Sequence, residues 1–229
     1  MKHVLNWLRP SNDPRCNELI KPRPLDDRPL SAQRLVVVDL ETSGLNLQRD
    51  HLLAIGAVVI EHGAIDFSQQ FECTLCQPNH KASASTLIHG IAPSTIAAGR
   101  EPTEALLEFM DFVGDSPLLA FHAPFDQHML QRALKRLLGY RLQHPFIDVA
   151  DLAPLLCPRG PQRRVGLDDW LDYFKLQAAE RHNASADALA TAELTLILFS
   201  QARRQGLDSL AELQRRAQSW RRRQTVPSL

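Results

Sequence analysis

A chain of 229 residues, 44% apolar and 23% charged, fits one large domain with tails and is too apolar to be mainly disordered. No window approaches the roughly 18 consecutive apolar residues of a membrane span, and Asn6, Arg9 and Pro10 break the N-terminal apolar run before a signal-peptide core forms; the expected location is the cytoplasm, with no membrane partner and with the four cysteines as free thiols. The charge balances at 26 basic and 26 acidic residues, yet residues 213–229 hold five arginines and no acid, leaving an acidic body of net −5.

Residues 1–33 carry five of the fifteen prolines and little apolar periodicity, which predicts an irregular leader. The run Leu35-Val36-Val37-Val38, ending at Asp39, reads as a buried strand whose carboxyl end delivers polar residues to a surface. An apolar run over 52–60, a Glu61-His62-Gly63 turn and the alternation of Ile65, Phe67, Phe71, Cys73 and Leu75 predict an antiparallel hairpin beside it.

A helical pattern opens at Pro102 and closes at Gly114, and a further buried strand follows over 118–121. Pro124 begins a helix ended by Gly139, and Leu167, Leu171 and Phe174 mark a shorter one. The stretch 184–202 is a long helix of strong formers, and 207–223 is a last, basic one. Strands alternating with helices make the fold class α/β. By sequence character the chain divides into a proline-rich leader (1–33), a body (34–204) and a basic C-terminal helix or tail (205–229).

Asp39 and Glu41 stand two apart at a strand end, so a period of two puts both carboxylates on one face at the carboxyl edge of the sheet. They are either two solvated turn acids or a buried pair, and a buried pair requires an unusual protonation, an Arg or Lys partner, or a hard cation. Asp126, in the first turn of the helix after the 118–121 strand, and Asp187, near the start of the long helix, belong to segments that lead to the same edge. Four carboxylates converging from three segments suit two divalent ions, Mg2+ or Mn2+, the arrangement that clamps both oxygens of a phosphodiester displacement. A nearby histidine can then take a proton from the attacking water.

The segments V-V-V-D-L-E-T-S-G-L (36–45), F-H-A-P-F-D (121–126) and H-N-A-S-A-D-A (182–188), in that order, resemble the three motifs of the DEDDh, or DnaQ-like, 3'-to-5' exonucleases, a family that includes the proofreading epsilon subunit of bacterial DNA polymerase III and ribonuclease T. The resemblance implies a ribonuclease H-like fold, a mixed five-stranded sheet with helices on both faces. It implies that Asp39, Glu41 and Asp187 bind a first metal, that Asp39 bridges to a second supported by Asp126, and that His182 is the general base. Its position five residues before Asp187 selects the His-type subclass.

The resemblance extends to a substrate pocket. His89, in Ile88-His89-Gly90-Ile91, resembles the family histidine that lines the 3'-terminal nucleotide; Thr42 and Leu45 match positions that hold that nucleotide, and Phe125 is similar to an aromatic at the pocket wall. Read without the family, His89 caps the segment that follows. Where most members have His-Asn, this chain has His122-Ala123, so the hydrogen bond of that Asn side chain is absent or replaced.

Cys73-x-x-Cys76 has no second pair of ligands downstream and reads as ordinary cysteines rather than a zinc site. Asp148 and Asp151, like Asp168 and Asp169, read as helix-cap or structural acids. The C-terminal arginines are either a phosphate-backbone contact or a solvated face, and the end at 224–229 resembles a clamp-binding peptide too weakly to carry an assignment. The expected function is metal-dependent 3'-to-5' hydrolysis of single-stranded or frayed DNA, in proofreading or repair. The alternatives are trimming of RNA 3' ends and a docking module for a polymerase or clamp.

Overall fold

The computed structural model describes residues 13–81, 84–161, 165–177 and 181–225; residues 1–12 and the extreme C-terminus at 226–229 lie outside the described residues. Five strands form one mixed sheet in the order β3-β2-β1-β4-β5: β1 (Leu35–Thr42), β2 (Leu52–Glu61), β3 (Ala64–Thr74), β4 (Leu118–Ala120) and β5 (Phe146–Asp148). β1 is antiparallel to β2, β2 to β3, and the β1-β4 and β4-β5 pairs are parallel. The expected α/β class and the mixed five-stranded sheet are both present, and no helix among the described residues is long and apolar enough to cross a membrane.

Helices cover both faces. Two short ones, α1 (Ala84–His89) and α2 (Pro93–Ala97), follow β3; then come α3 (Pro102–Val113), α4 (Ala123–Leu138), α5 (Val149–Leu156), α6 (Leu167–Phe174), α7 (Ala184–Arg204) and α8 (Leu210–Thr225). The period of two in β1 divides the core: Val36, Val38 and Leu40 join the cluster under α3 and α4, whereas Leu35 and Val37 join the cluster under α5 to α8. Burial of these side chains, at roughly 25 cal/mol per Å2 of apolar surface, drives the packing of both layers.

The described parts of both flanking segments pack into this body. Leu30 is buried, the backbone of Leu30 donates to Asp208, and that of Asp13 donates to the end of α4 at Leu138. In α8 and the turn before it, Leu207, Leu210, Leu213 and Ala217 are buried in the cluster with α5 and α7, while arginines occupy the outer side. The last helix is thus amphipathic, and the boundary at 204/205 runs between two helices that share one core. Cys73 is buried in β3, Cys76 lies just beyond it, and all four cysteines among the described residues are free thiols.

Candidate active site

The same alternation that buries Leu35 and Val37 puts Asp39 and Glu41 on the α7 side of β1, at the edge where β1, β4 and β5 end. Asp39 pairs in register with Gly56 of β2, and α7 comes down onto that glycine: a Cβ at Gly56 would lie 2.1 Å from the carbonyl carbon of Ala184. Asn183 caps α7 by accepting from the Ala186 N–H at 3.1 Å, and Asp187, in the first turn, accepts from the His182 N–H at 3.1 Å. These contacts aim the start of α7 at the end of β1. One carboxylate oxygen from each of Asp39, Glu41 and Asp187 lies within 4.8 Å of the others.

Asp126, in the first turn of α4 and only 5% exposed, stands beside this trio rather than in it. Its position depends on how α4 begins. His122 adopts a left-handed backbone (φ 63°) and does not cap α4 with its side chain; the carboxylate of Asp148 accepts instead from the N–H groups of His122 and Ala123, at 3.0 and 3.3 Å, and from Ala150 at 3.1 Å. Asp148 therefore starts both α4 and α5, and Arg221 of α8 pairs with Asp148 and Asp151. Ala123 is buried in the α3-α4 core.

Electrostatics here is costly. Burial, reinforced by Asp126 and Glu41, pushes the Asp39 carboxyl well above the ordinary carboxylate range. Burial pushes Glu41 up to about 7, opposed by Arg181. Asp126 is also raised, by burial with help from Asp148 and Glu41, although backbone N–H groups of Asp126 and Leu40 pull it down. Arg181 bridges Asp187 and Asp168, so a guanidinium lies at the mouth of the acid cluster.

Two of the three remedies for a buried acid pair are thus at hand: burial favours the protonated form of both acids, and the charge of Arg181 opposes it. The third fits as well: the donors are all carboxylate oxygens, from two rigid elements and close together, which is the chemistry a hard divalent cation takes.

His182, which follows Arg181, is exposed and left-handed (φ 61°). Together with His89, Arg181 and Ser185 it lines a cavity of about 450 Å3. His89 is 8% exposed; its Nδ1 accepts from the Ile91 N–H at 3.1 Å, which puts the ring proton on Nε2, and that atom has no hydrogen-bond partner. His89 thus caps the next segment and leaves a buried, unpartnered donor in the wall of the cavity. Ser185 Oγ is likewise buried without a partner.

Thr42 is buried and donates to the Gly44 carbonyl at 2.8 Å, shaping the loop after β1. Asp50 closes that loop by accepting from Ser43 Oγ at 2.9 Å and from the Asn46 N–H at 2.7 Å. Leu45 is held out at the loop's tip, 84% exposed. Phe125 is half-buried against the α3-α4 core; neither it nor Leu45 lines the cavity with His89.

The comparisons with known proteins agree with one another. The model of the exonuclease family matches residues 36–195. The PolC-type DNA polymerase III of Thermotoga maritima is 32% identical over 191 residues, 83% of this chain but 14% of that protein, and the one of Bacillus subtilis is 29% identical over 188 residues, 13% of its length. The chain therefore spans about a seventh of the length of these relatives. Among solved structures, E. coli exonuclease I in complex with a dT13 oligonucleotide superimposes with a TM-score of 0.64 at 18% identity, over 75% of this chain and 42% of the other, and so supports the fold.

Proposed function

The chain belongs to the DnaQ-like, DEDDh 3'-to-5' exonuclease family, and from that membership we infer that it hydrolyses the 3'-terminal phosphodiester of single-stranded or frayed DNA, releasing nucleoside 5'-monophosphates. The observation that carries this reading is the convergence of Asp39, Glu41 and Asp187 within 4.8 Å, with Asp126 buried beside them. Mg2+ or Mn2+ ions held by these four acids would supply the Lewis acidity for a phosphodiester displacement. His182, exposed at the cavity rim, takes the proton of the attacking water.

The cavity of about 450 Å3 lined by His89, His182 and Ser185 takes the terminal nucleotide, and the unpartnered His89 Nε2 and Ser185 Oγ lie buried in its wall. By the family resemblance Thr42, Leu45 and Phe125 contact that nucleotide from outside this cavity, on the side of β1 and α4. DNA is preferred as the substrate because the relatives are DNA polymerases and the structural neighbour binds a dT13 strand. By the same relationship a polymerase or clamp is the proposed partner, and the cytoplasm the place of action.

The test is degradation of 5'-labelled single-stranded DNA and RNA of equal sequence, with Mg2+ or Mn2+, with chelator, and with Asp39→Ala. A ladder shortening from the 3' end of DNA, abolished by chelator and by the substitution, is the expected result. A ladder from RNA alone would replace the substrate, and cleavage of neither polymer by folded, metal-loaded protein would overturn the enzymatic reading.

A further inference from the structure

A second cavity, of about 460 Å3, shares no lining residue with the first. It begins at Ser43, one residue beyond Thr42, and takes His51 from the start of β2, His80 and Lys81 from the segment before α1, and Arg132 and Arg136 from α4. Among the described residues that line it there is no carboxylate. That is a marked separation of charge in a chain whose 26 basic and 26 acidic residues balance.

Arg132 and Arg136 lie close enough to His51 for their charges to act on it. Burial first, then Arg136 and Arg132, hold His51 below the usual imidazole range, against the pull of Asp50. Arg132 donates to the Leu47 carbonyl and so braces the loop after β1. Lys81 and Arg136 are exposed and form no ion pair with a described residue, and His80 Nε2 is buried without a hydrogen-bond partner. Like charges gathered in a concavity repel unless an anion joins them.

The donors are guanidinium, ammonium and imidazole, the groups that take phosphate oxygens. Among the described lining residues there is no Phe, Tyr or Trp on which a base could stack. Such a surface grips a backbone and ignores sequence.

We propose that this cavity holds the backbone phosphates of the nucleic acid strand upstream of its 3'-terminal nucleotide. The proposal rests on the exonuclease reading of the neighbouring site. It explains how a strand is kept beside a cluster of acids that repels it: the acids face the scissile end, and the cations face the phosphates behind it.

The test is binding of fluorescent dT12 and dA12 in EDTA, which leaves the strand intact, across a salt series. The Lys81→Gln/Arg136→Gln protein is compared with the parent and with Arg203→Gln/Arg204→Gln, which removes the same charge from exposed positions at the far end of α7. Arg132 is left in place because it braces the loop. The first variant is expected to bind both strands about tenfold more weakly, with a salt slope shallower by about 1.4, while the second matches the parent.

Equal losses in the two variants would reduce the effect to net charge, and no loss in either would remove the site; both results overturn the proposal. Inorganic phosphate titrated against the parent is a further arm: binding that depends on Arg136, without any loss of dT12 affinity, would make this a free-anion site and overturn the strand reading. Hydrolysis of thymidine 5'-(4-nitrophenyl phosphate) by the parent with Mn2+ reports on the catalytic site alone, so its failure is distinguishable from failure of the cavity.

Discussion

The backbone of Ala184 rests against the α-carbon of Gly56, directly across the β1-β2 pairing from Asp39. No side chain larger than hydrogen fits between them, so this glycine sets how closely Asp187 approaches the acids of β1. In Gly56→Ala the methyl group meets backbone rather than a yielding side chain, and α7 must shift. A loss of about 2–3 kcal/mol is expected from urea unfolding, together with a smaller rise in melting temperature on adding Mn2+. An unchanged response to Mn2+ would show that the acids tolerate the shift.

Arg181 occupies the mouth of the acid cluster through its pairs with Asp187 and Asp168. On the proposed function, a divalent cation would compete with this guanidinium for the Asp187 carboxylate. Arg181→Gln should therefore bind Mn2+ about tenfold more tightly by calorimetry, while the metal-free protein loses about 1 kcal/mol of stability, since the repulsion among the acids is then unrelieved. Weaker Mn2+ binding would assign Arg181 to positioning Asp187 rather than to competing for it.

Glu41, raised to about 7 in the folded protein from an ordinary 4.5, makes stability depend on pH. The folded state holds a proton that the unfolded chain releases, so this contribution is full below pH 4.5 and is lost as pH rises through 7. Gln imitates the protonated acid. Without metal, Glu41→Gln should be more stable than the parent at pH 8, by about 1–2 kcal/mol after allowance for partial exposure, and equal to it near pH 4.5. With saturating Mg2+ the order at pH 8 should reverse, because the carboxylate is then a ligand; denaturation midpoints at the two pH values check both statements.

His182 sits at a left-handed backbone position, which Asn tolerates better than most residues. His182→Asn should keep the fold and the Mn2+-induced thermal shift, yet release nucleotide 10^2- to 10^4-fold more slowly, as expected for a lost general base. Loss of the thermal shift would make His182 a metal ligand instead.

Much of this was legible in sequence because apolar periodicity is local. β1, the β2-β3 hairpin, α3, α4 and α6 carry their apolar runs or periods locally, and α7 is marked by its strong helix formers. The β5-α5 unit at 146–156 does not: three residues are too few for an alternation, and Pro154 interrupts the helical pattern. In the last helix the arginines obscure a stripe of Leu210, Leu213 and Ala217 that is evident once their burial is known.

Among the site residues, the acids and His182 stand in compact motifs. Arg181 does not, since nothing but the fold relates a lone arginine to carboxylates 140 positions earlier; its one sequence signal is its place beside His182. The five basic residues of the second cavity come from three separate stretches of chain and share no local pattern.

Asp148 is a junction: one carboxylate starts the helix that carries Asp126, starts α5, and takes the guanidinium of Arg221 from α8. Helix α8 is thereby wired to the placing of a buried carboxylate, Asp126, nearly a hundred residues upstream. Damage or pulling at the carboxyl terminus would thus be felt as a mis-set acid well before the sheet itself opened.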